Sequence, residues 1–205
     1  AQNADVARSL ETSIQKGNFS HAKQLELRKQ FPVLNTPNVA FRNKGNAMFE
    51  DVSSNWGFDS IRVSHGMALA DLDNDGDLDA VINCLNAPAL LYQNQASGPR
   101  LRVALKGRSP NTAGIGALVE VIAPNLPKQT QSIKAGGRYL SSDQPTRTFA
   151  VKAISDLVSI KVDWPSGEIS QLSRVSANQL YVIEEPKQAN QQLPVNEIEP
   201  IANNA

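Results

Sequence analysis

The sequence predicts a mainly β protein in which an N-terminal helical arm precedes two groups of short strands. Apolar residues recur at four-residue spacing near the N-terminus, at Val6, Leu10 and Ile14, which is typical of a helix face. From residue 37 onward, short apolar runs alternate with Pro, Gly, Asn and Asp, which is typical of strands joined by turns. An acidic stretch at residues 71–79 separates two of these runs.

The helical arm is predicted to cover residues 1–36 and to contain two helices. Gly17 and Asn18 are a stop signal after the first helix, and Ser20 can cap the second. The second helix is expected to end near Gln30, because Pro32 disfavours helical geometry in the residue before it. The apolar stripe is thin, so the arm either docks onto a larger surface or connects two modules.

Five strands are predicted between residues 37 and 96, at residues 38–43, 48–52, 63–70, 80–84 and 89–94. The first and last of them carry the same aromatic-x-Asn pattern, at residues 41–43 and 92–94, which are 51 residues apart. A repeat of this length with several strands is typical of propeller blades.

Five aspartates crowd residues 71–79, between two predicted strands. They are Asp71, Asp73, Asp75, Asp77 and Asp79. Carboxylates at this density repel one another unless a cation lies among them, and hard oxygen ligands suit Ca²⁺. Gly76 permits a sharp turn that brings the odd-numbered side chains together, and we expect Asp77 to contribute its backbone carbonyl.

The spacing excludes an EF-hand, because loop position 12, which would carry a bidentate Glu, is Ile82 in the following strand. The hypothesis is therefore a calcium loop inside a β-hairpin. The alternative is a solvated acidic turn, since Asp, Asn and Gly are ordinary turn residues. A bound calcium ion would either only stabilise the loop or also contact a ligand, and the sequence leaves both roles open.

Residues 41–52 (FRNKGNAMFEDV) and 66–79 (GMALADLDNDGDLD) resemble the FG-GAP/VCBS repeat of integrin-α-like β-propellers. The resemblance spans about residues 38–95. It implies one calcium-binding propeller-type blade at residues 37–96, with the five loop aspartates as Ca²⁺ ligands. Because one blade cannot close a ring, we expect the remaining propeller blades on a longer polypeptide or on a partner chain.

Residues 100–185 are predicted to form an antiparallel β-sandwich after a linker at residues 96–99. The predicted strands cover residues 101–105, 117–122, 131–134, 159–164 and 179–183, with turn residues between them. In the first of these strands Leu101 and Val103 alternate with Arg102, as expected for a strand with one buried face.

Three segments of this second group resemble the ASPIC/UnbV domain: residues 111–117 (NTAGIGA), 137–142 (GRYLSS) and 162–167 (VDWPSG). That domain typically follows FG-GAP repeats in secreted proteins and bacterial surface proteins, so the resemblance implies an extracellular, cell-surface or periplasmic location. The chain departs from the family at residues 149–152 (FAVK), where Phe-Gly-Leu-Gly is usual. We expect the glycine-dependent turn there to be rebuilt.

Composition excludes several classes of function. Lys plus Arg and Asp plus Glu number 20 each, so no net charge attracts nucleic acid or an anionic membrane. No apolar run approaches the roughly 20 residues that a membrane helix needs. The single Cys84 lies in an apolar strand and is expected to be a buried small hydrophobe. Neither histidine belongs to a hydrolase motif or a metal-ligand pattern, so we predict no catalytic residues and no enzyme.

Two further motifs allow alternatives. Gly114 and Gly116 lack the third glycine and the following helix of a phosphate-binding loop, so they indicate a tight turn. Trp164 either stacks on a sugar, with Tyr139 nearby, or closes the end of the sandwich core. The tail at residues 186–205 is rich in Asn, Gln, Pro and Glu and is expected to be extended or disordered by itself.

These observations predict a non-catalytic calcium-binding extracellular or cell-surface module that mediates protein binding or assembly. One alternative is a structural subunit that completes a larger multi-chain assembly. Another is a carbohydrate-binding accessory domain with a glycan partner. The sequence does not identify the ligand or the oligomeric state.

Overall fold

The computed structural model describes residues 4–15, 20–29, 36–187 and 198–200 of the 205-residue chain. The described part is mainly β, with several sheets and no closed barrel. The helices are α1 (Ala4–Gln15) and α2 (His21–Arg28). The strands are β1 (Phe41–Gly45), β2 (Met48–Asp51), β3 (Ser64–Ala70), β4 (Asp79–Cys84), β5 (Leu90–Tyr92), β6 (Arg100–Lys106), β7 (Leu118–Ile122), β8 (Gln129–Ser132), β9 (Gly137–Arg138), β10 (Ser141–Ser142), β11 (Arg147–Ala150), β12 (Val158–Asp163), β13 (Ile169–Val175), β14 (Gln179–Glu184) and β15 (Ile198–Pro200).

The chain divides into two compact units, Ala1–Ser64 and His65–Ala205. This division differs from the predicted one, which placed the boundary at the linker of residues 96–99. The acidic loop and β4–β5 belong to the same unit as β6–β15. The reason is a set of polar contacts, described below, that tie residues 67–79 to β6 and to residues 141–148.

The first unit contains α1 and α2. Ser20 caps α2 as predicted, because its Oγ accepts a hydrogen bond from the Lys23 backbone N–H at 3.3 Å. The described residues show two separate short helices and no continuous helical arm. The predicted stop at residues 17–18, the predicted end at Pro32 and the side chains of the predicted apolar stripe lie outside the described residues.

A two-stranded antiparallel hairpin, β1–β2, follows in the first unit. Its residues are all exposed, and Phe41, Met48 and Phe49 each leave more than half of their surface in contact with solvent. Arg42 lies over the Trp56 ring, 5.4 Å from its centroid. An isolated two-stranded hairpin is marginally stable in water, so this element has little packing of its own.

The second unit contains two four-stranded sheets, ordered β11-β6-β14-β15 and β13-β12-β7-β8. Their pairings are antiparallel except for β6 and β14, which run parallel. The prediction of a purely antiparallel sandwich is wrong at this pair. A parallel pair requires a long crossover, and here the whole of β7–β13 lies between the two strands.

Both sheets contribute to one hydrophobic core, which holds Leu101, Val103, Ala117, Val119, Val121, Ala123, Ile133, Phe149, Val151, Val158, Ile160, Val162, Trp164, Leu172, Val175, Ala177, Tyr181 and Ile183. Period-two alternation explains this packing: β12 buries Val158, Ile160 and Val162 and leaves the residues between them half-buried. We call this pair of sheets the two-sheet core.

The three-stranded sheet β3-β4-β5 also belongs to the second unit, apart from its first residue. It buries Ala80, Ile82 and Cys84, so Cys84 is a buried small residue as predicted. In the described residues this sheet and the β1–β2 hairpin are separate sheets of three and two strands. A four-stranded propeller-type blade is therefore not seen at residues 37–96.

Trp164 lies in the two-sheet core, 4% exposed, and its Nε1–H donates to Ser170 Oγ at 2.9 Å. Gly114 (φ 64°) leaves room for this ring, because a Cβ there would lie 3.1 Å from Trp164 Cζ3. The Asn111 side chain closes the turn with two hydrogen bonds of 2.8 Å: its Oδ1 accepts the Ile115 N–H, and its Nδ2 donates to the Ile115 carbonyl. The glycine pair thus builds a tight turn, and Trp164 closes the core.

The segment at residues 149–152 ends β11. Phe149 and Val151 are buried in the core, and the Val151 N–H donates to the Pro99 carbonyl at 2.9 Å. Of the predicted tail, β15 pairs with β14, and residues 188–197 and 201–205 lie outside the described residues. Neither described helix is long and apolar enough to cross a membrane.

Candidate metal centre

The acidic loop, residues 71–78, leaves the end of β3 and leads directly into β4. Two residues in it adopt left-handed backbone conformations, Asn74 with φ 63° and Gly76 with φ 94°. Asn and Gly tolerate this region better than other residues. The loop therefore turns at the positions where the sequence provides turn residues.

The structure brings three of the five predicted carboxylates together. One ligand oxygen from each of Asp71, Asp73 and Asp75 lies within 4.8 Å of the others. This is the one such group of acidic, His or Cys side chains within the described ranges. Oxygens at this separation can contact one cation at the 2.3–2.6 Å distances typical of Ca²⁺.

The side chains of Asp77 and Asp79 lie outside this group; that Asp77 contributes its backbone carbonyl and that Asp79 is a ligand stay predictions. The Asp77 carboxylate forms an ion pair with Arg100 at 2.8 Å. Asp79 accepts hydrogen bonds from the backbone N–H groups of Leu72 at 2.9 Å and Asn94 at 2.8 Å. Both carboxylates are buried, so they hold the loop and the chain after β5 in place.

Backbone N–H groups of the loop point at its own carboxylates. Gly76 donates to Asp71 at 3.0 Å, Asp77 donates to Asp75 at 2.9 Å, and Asp75 donates to Asp73 at 3.3 Å. The bonds from Asp75 to Asp73 and from Asp77 to Asp75 join residues two apart, which is typical of Asx turns. These bonds orient the three clustered side chains without the help of a bound ion.

Two arginines of β6 attach the loop to the two-sheet core. Arg102 pairs with Asp71 and also donates to Asn74 Oδ1 at 2.9 Å. Arg100 pairs with Asp77 and lies 3.9 Å from Asp75. Arg102 is buried although it lies on the polar face of a strand, because the loop covers that face.

The charges of the site are not balanced by these arginines. Five carboxylates and two guanidinium groups leave a surplus of three negative charges. In addition, the Asp71 side chain is only 2% exposed, and its Oδ1 is buried without a hydrogen-bond partner. A buried charged oxygen without a partner is costly, and a divalent cation would satisfy it. The donor set therefore fits Ca²⁺, with Asp71, Asp73 and Asp75 as the residues that would hold it.

The carboxyl groups of the loop respond differently to their surroundings. A hydrogen bond from Gln93 lowers the pKa of Asp73, which keeps this carboxylate ionised. Burial raises the pKa of Asp77, and the Arg100 guanidinium offsets only part of that effect. The environment thus favours the charged form at Asp73, which belongs to the cluster, and disfavours it at Asp77, which does not.

Several residues that shape the site were not predicted from the sequence. These are Gln93, Asn94, Arg100, Arg102 and Gln144. Gln93 Nε2 donates to Asp73 at 2.7 Å, and Gln144 Oε1 accepts the Asp71 N–H at 3.1 Å. The sequence contains one signal for the two arginines. Arg100 and Arg102 are two residues apart, so they share the face of β6 that does not enter the core.

Comparison with known families and proteins concerns mainly the two-sheet core. Residues 107–190 match the model of the family described as ASPIC and UnbV. This segment is an ASPIC/UnbV domain. All three motifs that indicated the resemblance lie inside the matched range, so that prediction is confirmed. The match does not include residues 38–95, and the FG-GAP/VCBS resemblance stays a prediction.

The chain is also similar to cartilage acidic protein 1 from three vertebrates. Identity is 36% over 69 residues for the Xenopus tropicalis and Mus musculus proteins and 35% over 69 residues for the Homo sapiens protein. The similar segment covers 33% of this chain and 10–11% of each relative. The chain thus spans about a tenth of the length of these curated relatives.

Proposed function

We propose that this chain is a non-catalytic, extracellular interaction module whose acidic loop binds Ca²⁺. The single observation that carries the calcium site is the cluster of Asp71, Asp73 and Asp75, with a buried Asp71 oxygen that lacks a partner. The ASPIC/UnbV domain and the similarity to cartilage acidic protein 1 support the interaction role and the extracellular location. Calcium would hold the loop against β6, so that the surface around it keeps one shape.

Isothermal titration of the full chain with CaCl₂ tests the site. We expect saturable binding of one ion. Asp73→Asn keeps the shape of the side chain but removes one charge, so it should weaken binding by about tenfold, since ligand charge sets calcium affinity. Asp59→Asn is the matched control, because Asp59 accepts a hydrogen bond from Ser54 in an exposed loop outside the cluster.

Two results would contradict the proposal. One is the absence of any saturable heat with the wild-type chain. The other is equal affinity in the Asp73→Asn and Asp59→Asn variants, which would place the bound ion elsewhere.

A second candidate function is a structural subunit of a larger assembly, and the β1–β2 hairpin favours it. Phe41, Met48 and Phe49 are exposed on a sheet of only two strands, and apolar side chains of this kind mark contact surfaces. The expected partner is further β structure, on the same polypeptide or on another chain. Light scattering of the purified chain should then show self-association that Phe49→Ser reduces, whereas a monomer at high concentration contradicts this candidate.

A carbohydrate-binding role centred on Trp164 is disfavoured, because the ring is buried and its N–H is already bonded to Ser170. Tyr139 is 70% exposed, and one exposed ring offers a single stacking surface.

A further inference from the structure

A cavity of about 490 Å³ lies in the second unit, beside the acidic loop. Its walls come from β8, from β11 and from the segment around the β9–β10 hairpin. Leu69 and Leu78 also line it, and these two residues stand just before and at the end of the acidic loop. The cavity is thus bounded by the ASPIC/UnbV domain on one side and by the ends of the loop on the other.

The charged side chains of the cavity are mostly cationic. Lys134, Arg138 and Arg147 line it together with one carboxylate, Asp143, which leaves a surplus of two positive charges. Arg138 pairs with Asp143. Lys134 is exposed and forms no ion pair within the described part of the chain, so its ammonium group is available to a ligand.

Arg147 is held in the wall by two backbone carbonyls. Its Nε donates to Ser132 O at 3.2 Å and its NH1 donates to Gln144 O at 2.7 Å. Burial lowers the pKa of this guanidinium, and the nearby Asp143 carboxylate offsets only part of that effect. An anion in the cavity would offset more of it.

Gln144 provides an unused donor in the same wall. Its Oε1 accepts the Asp71 N–H, whereas its Nε2 is buried and has no hydrogen-bond partner. Four hydroxyl side chains also line the cavity. They are Thr130, Ser132, Thr146 and Thr148. A buried donor without an acceptor is unfavourable, so a ligand acceptor at this position would be stabilised.

We propose that this cavity binds an oxyanion group, a carboxylate or sulfate, carried by a saccharide. The cationic surplus and the unpartnered amide select an anion. The volume exceeds the space that a bare inorganic oxyanion fills and falls within the range of small-molecule sites. The hydroxyl side chains of the wall can pair with sugar hydroxyls.

The acidic loop should influence this cavity electrostatically. Thr148 in the wall donates to the Gly76 carbonyl of the loop at 3.3 Å, so the negative surplus of the loop is close. Those charges oppose an incoming anion, and a Ca²⁺ ion in the loop would reduce the opposition. Calcium should therefore increase the affinity of the cavity for an anion. This increase rests on the proposed calcium site, whereas anion binding in the cavity does not.

Titration calorimetry of the full chain with glucuronate, glucose and sodium sulfate tests the proposal, first with EGTA and then with CaCl₂. Glucuronate should bind saturably, and glucose should bind at least about tenfold more weakly, because it lacks the charged group. Sulfate weaker than glucuronate supports a saccharide ligand. If sulfate binds as tightly as glucuronate, the saccharide part of the proposal is overturned and only binding of an oxyanion is supported. No saturable binding of glucuronate in either condition overturns the proposal.

Charge reversal at Lys134 locates the binding. Lys134→Glu should weaken glucuronate binding by about tenfold, since it replaces an attractive charge with a repulsive one. Lys152→Glu is the matched control, because Lys152 is also exposed but does not line the cavity. Equal affinity in both variants overturns the assignment. If glucuronate binds but calcium does not change its affinity, the cavity assignment holds and the electrostatic coupling between loop and cavity is contradicted, whereas the direct CaCl₂ titration decides the calcium site.

Discussion

Arg102 and Asp71 form the most buried ion pair between the acidic loop and the two-sheet core. Their side chains are 7% and 2% exposed. A buried pair of this kind contributes little net stability, but removing one partner leaves a buried charge without compensation. The consequence depends on whether calcium is bound, because Asp71 also belongs to the metal cluster.

Arg102→Met tests this dependence. In EGTA the variant should lose about 3 kcal/mol of unfolding free energy, since Asp71 is left unpaired. With saturating CaCl₂ the loss should be clearly smaller, because the ion compensates Asp71. Urea denaturation in both conditions measures the difference. Lys106→Met on the same strand removes an exposed ion pair with Glu184 and should change stability by less than about 1 kcal/mol. Equal losses for Arg102→Met with and without calcium contradict the account.

Asp143 makes stability depend on pH. Burial alone would raise the pKa of its carboxyl group, but the hydrogen bonds from Arg138 and from the Leu69 N–H outweigh burial and lower the pKa below the usual 3.8. A lowered folded-state pKa stabilises the fold above the unfolded-state pKa, and that contribution is lost as the pH falls through the folded-state pKa.

Asp143→Asn should therefore cost about 1 kcal/mol at pH 7. The difference in unfolding free energy between wild type and variant should shrink as the pH falls below 3.8. Denaturant titrations at several pH values measure it. A difference that stays constant down to low pH would show that Asp143 contributes by shape and not by charge.

At the scale of elements, the turn before β7 depends on close backbone packing. The Gly107 N–H donates to the Thr112 carbonyl at 2.8 Å, and a Cβ at Gly107 would lie 2.1 Å from the Asn111 carbonyl oxygen. No side chain fits at that distance without moving the backbone. This turn carries the first of the three segments that match the ASPIC/UnbV domain.

Gly107→Ala should destabilise the chain by about 2–3 kcal/mol, because the backbone must shift to remove the overlap. Gly98→Ala is the matched control, since a Cβ there meets nothing within 4 Å. Thermal unfolding compares the two variants. Equal melting temperatures would show that the turn adapts without cost.

Elements with regular alternation were predictable from the sequence, and irregular ones were not. The strands β6, β7, β12 and β14 lie within one or two residues of their predicted bounds. The strand β13 was missed because it buries polar Ser170 and because Arg174, with φ 60°, breaks the period of two. The strand β8 was predicted two residues late, since its residues Gln129–Ser132 are all polar.

The site was predictable in part for a similar reason. Local spacing indicates that Asp71, Asp73 and Asp75 can meet at one point. Local spacing does not indicate the ion pair between Asp77 and Arg100, because that pair forms only when the loop packs against β6. Arg102 was expected on a solvent-facing side of its strand, and the docked loop buries it.

At the scale of the whole molecule, the unit His65–Ala205 contains the complete hydrophobic core cluster, the acidic loop and the cavity. We therefore expect a fragment of residues 64–205 to unfold cooperatively and to titrate with calcium like the full chain. Circular dichroism and calorimetry measure both properties. A fragment that does not fold would show that the first unit is needed for the stability of the second.

The measurement that tests the central claim most directly is thermal unfolding of the full chain in CaCl₂ and in EGTA, for the wild type and Asp73→Asn. At a calcium concentration ten times Kd, binding to the folded state adds about 1.4 kcal/mol, which raises Tm by about 3–6 °C for a chain of this size. We predict this rise for the wild type and a much smaller one for Asp73→Asn. An unchanged wild-type Tm, or an equal rise in the variant, would contradict a calcium site in the acidic loop.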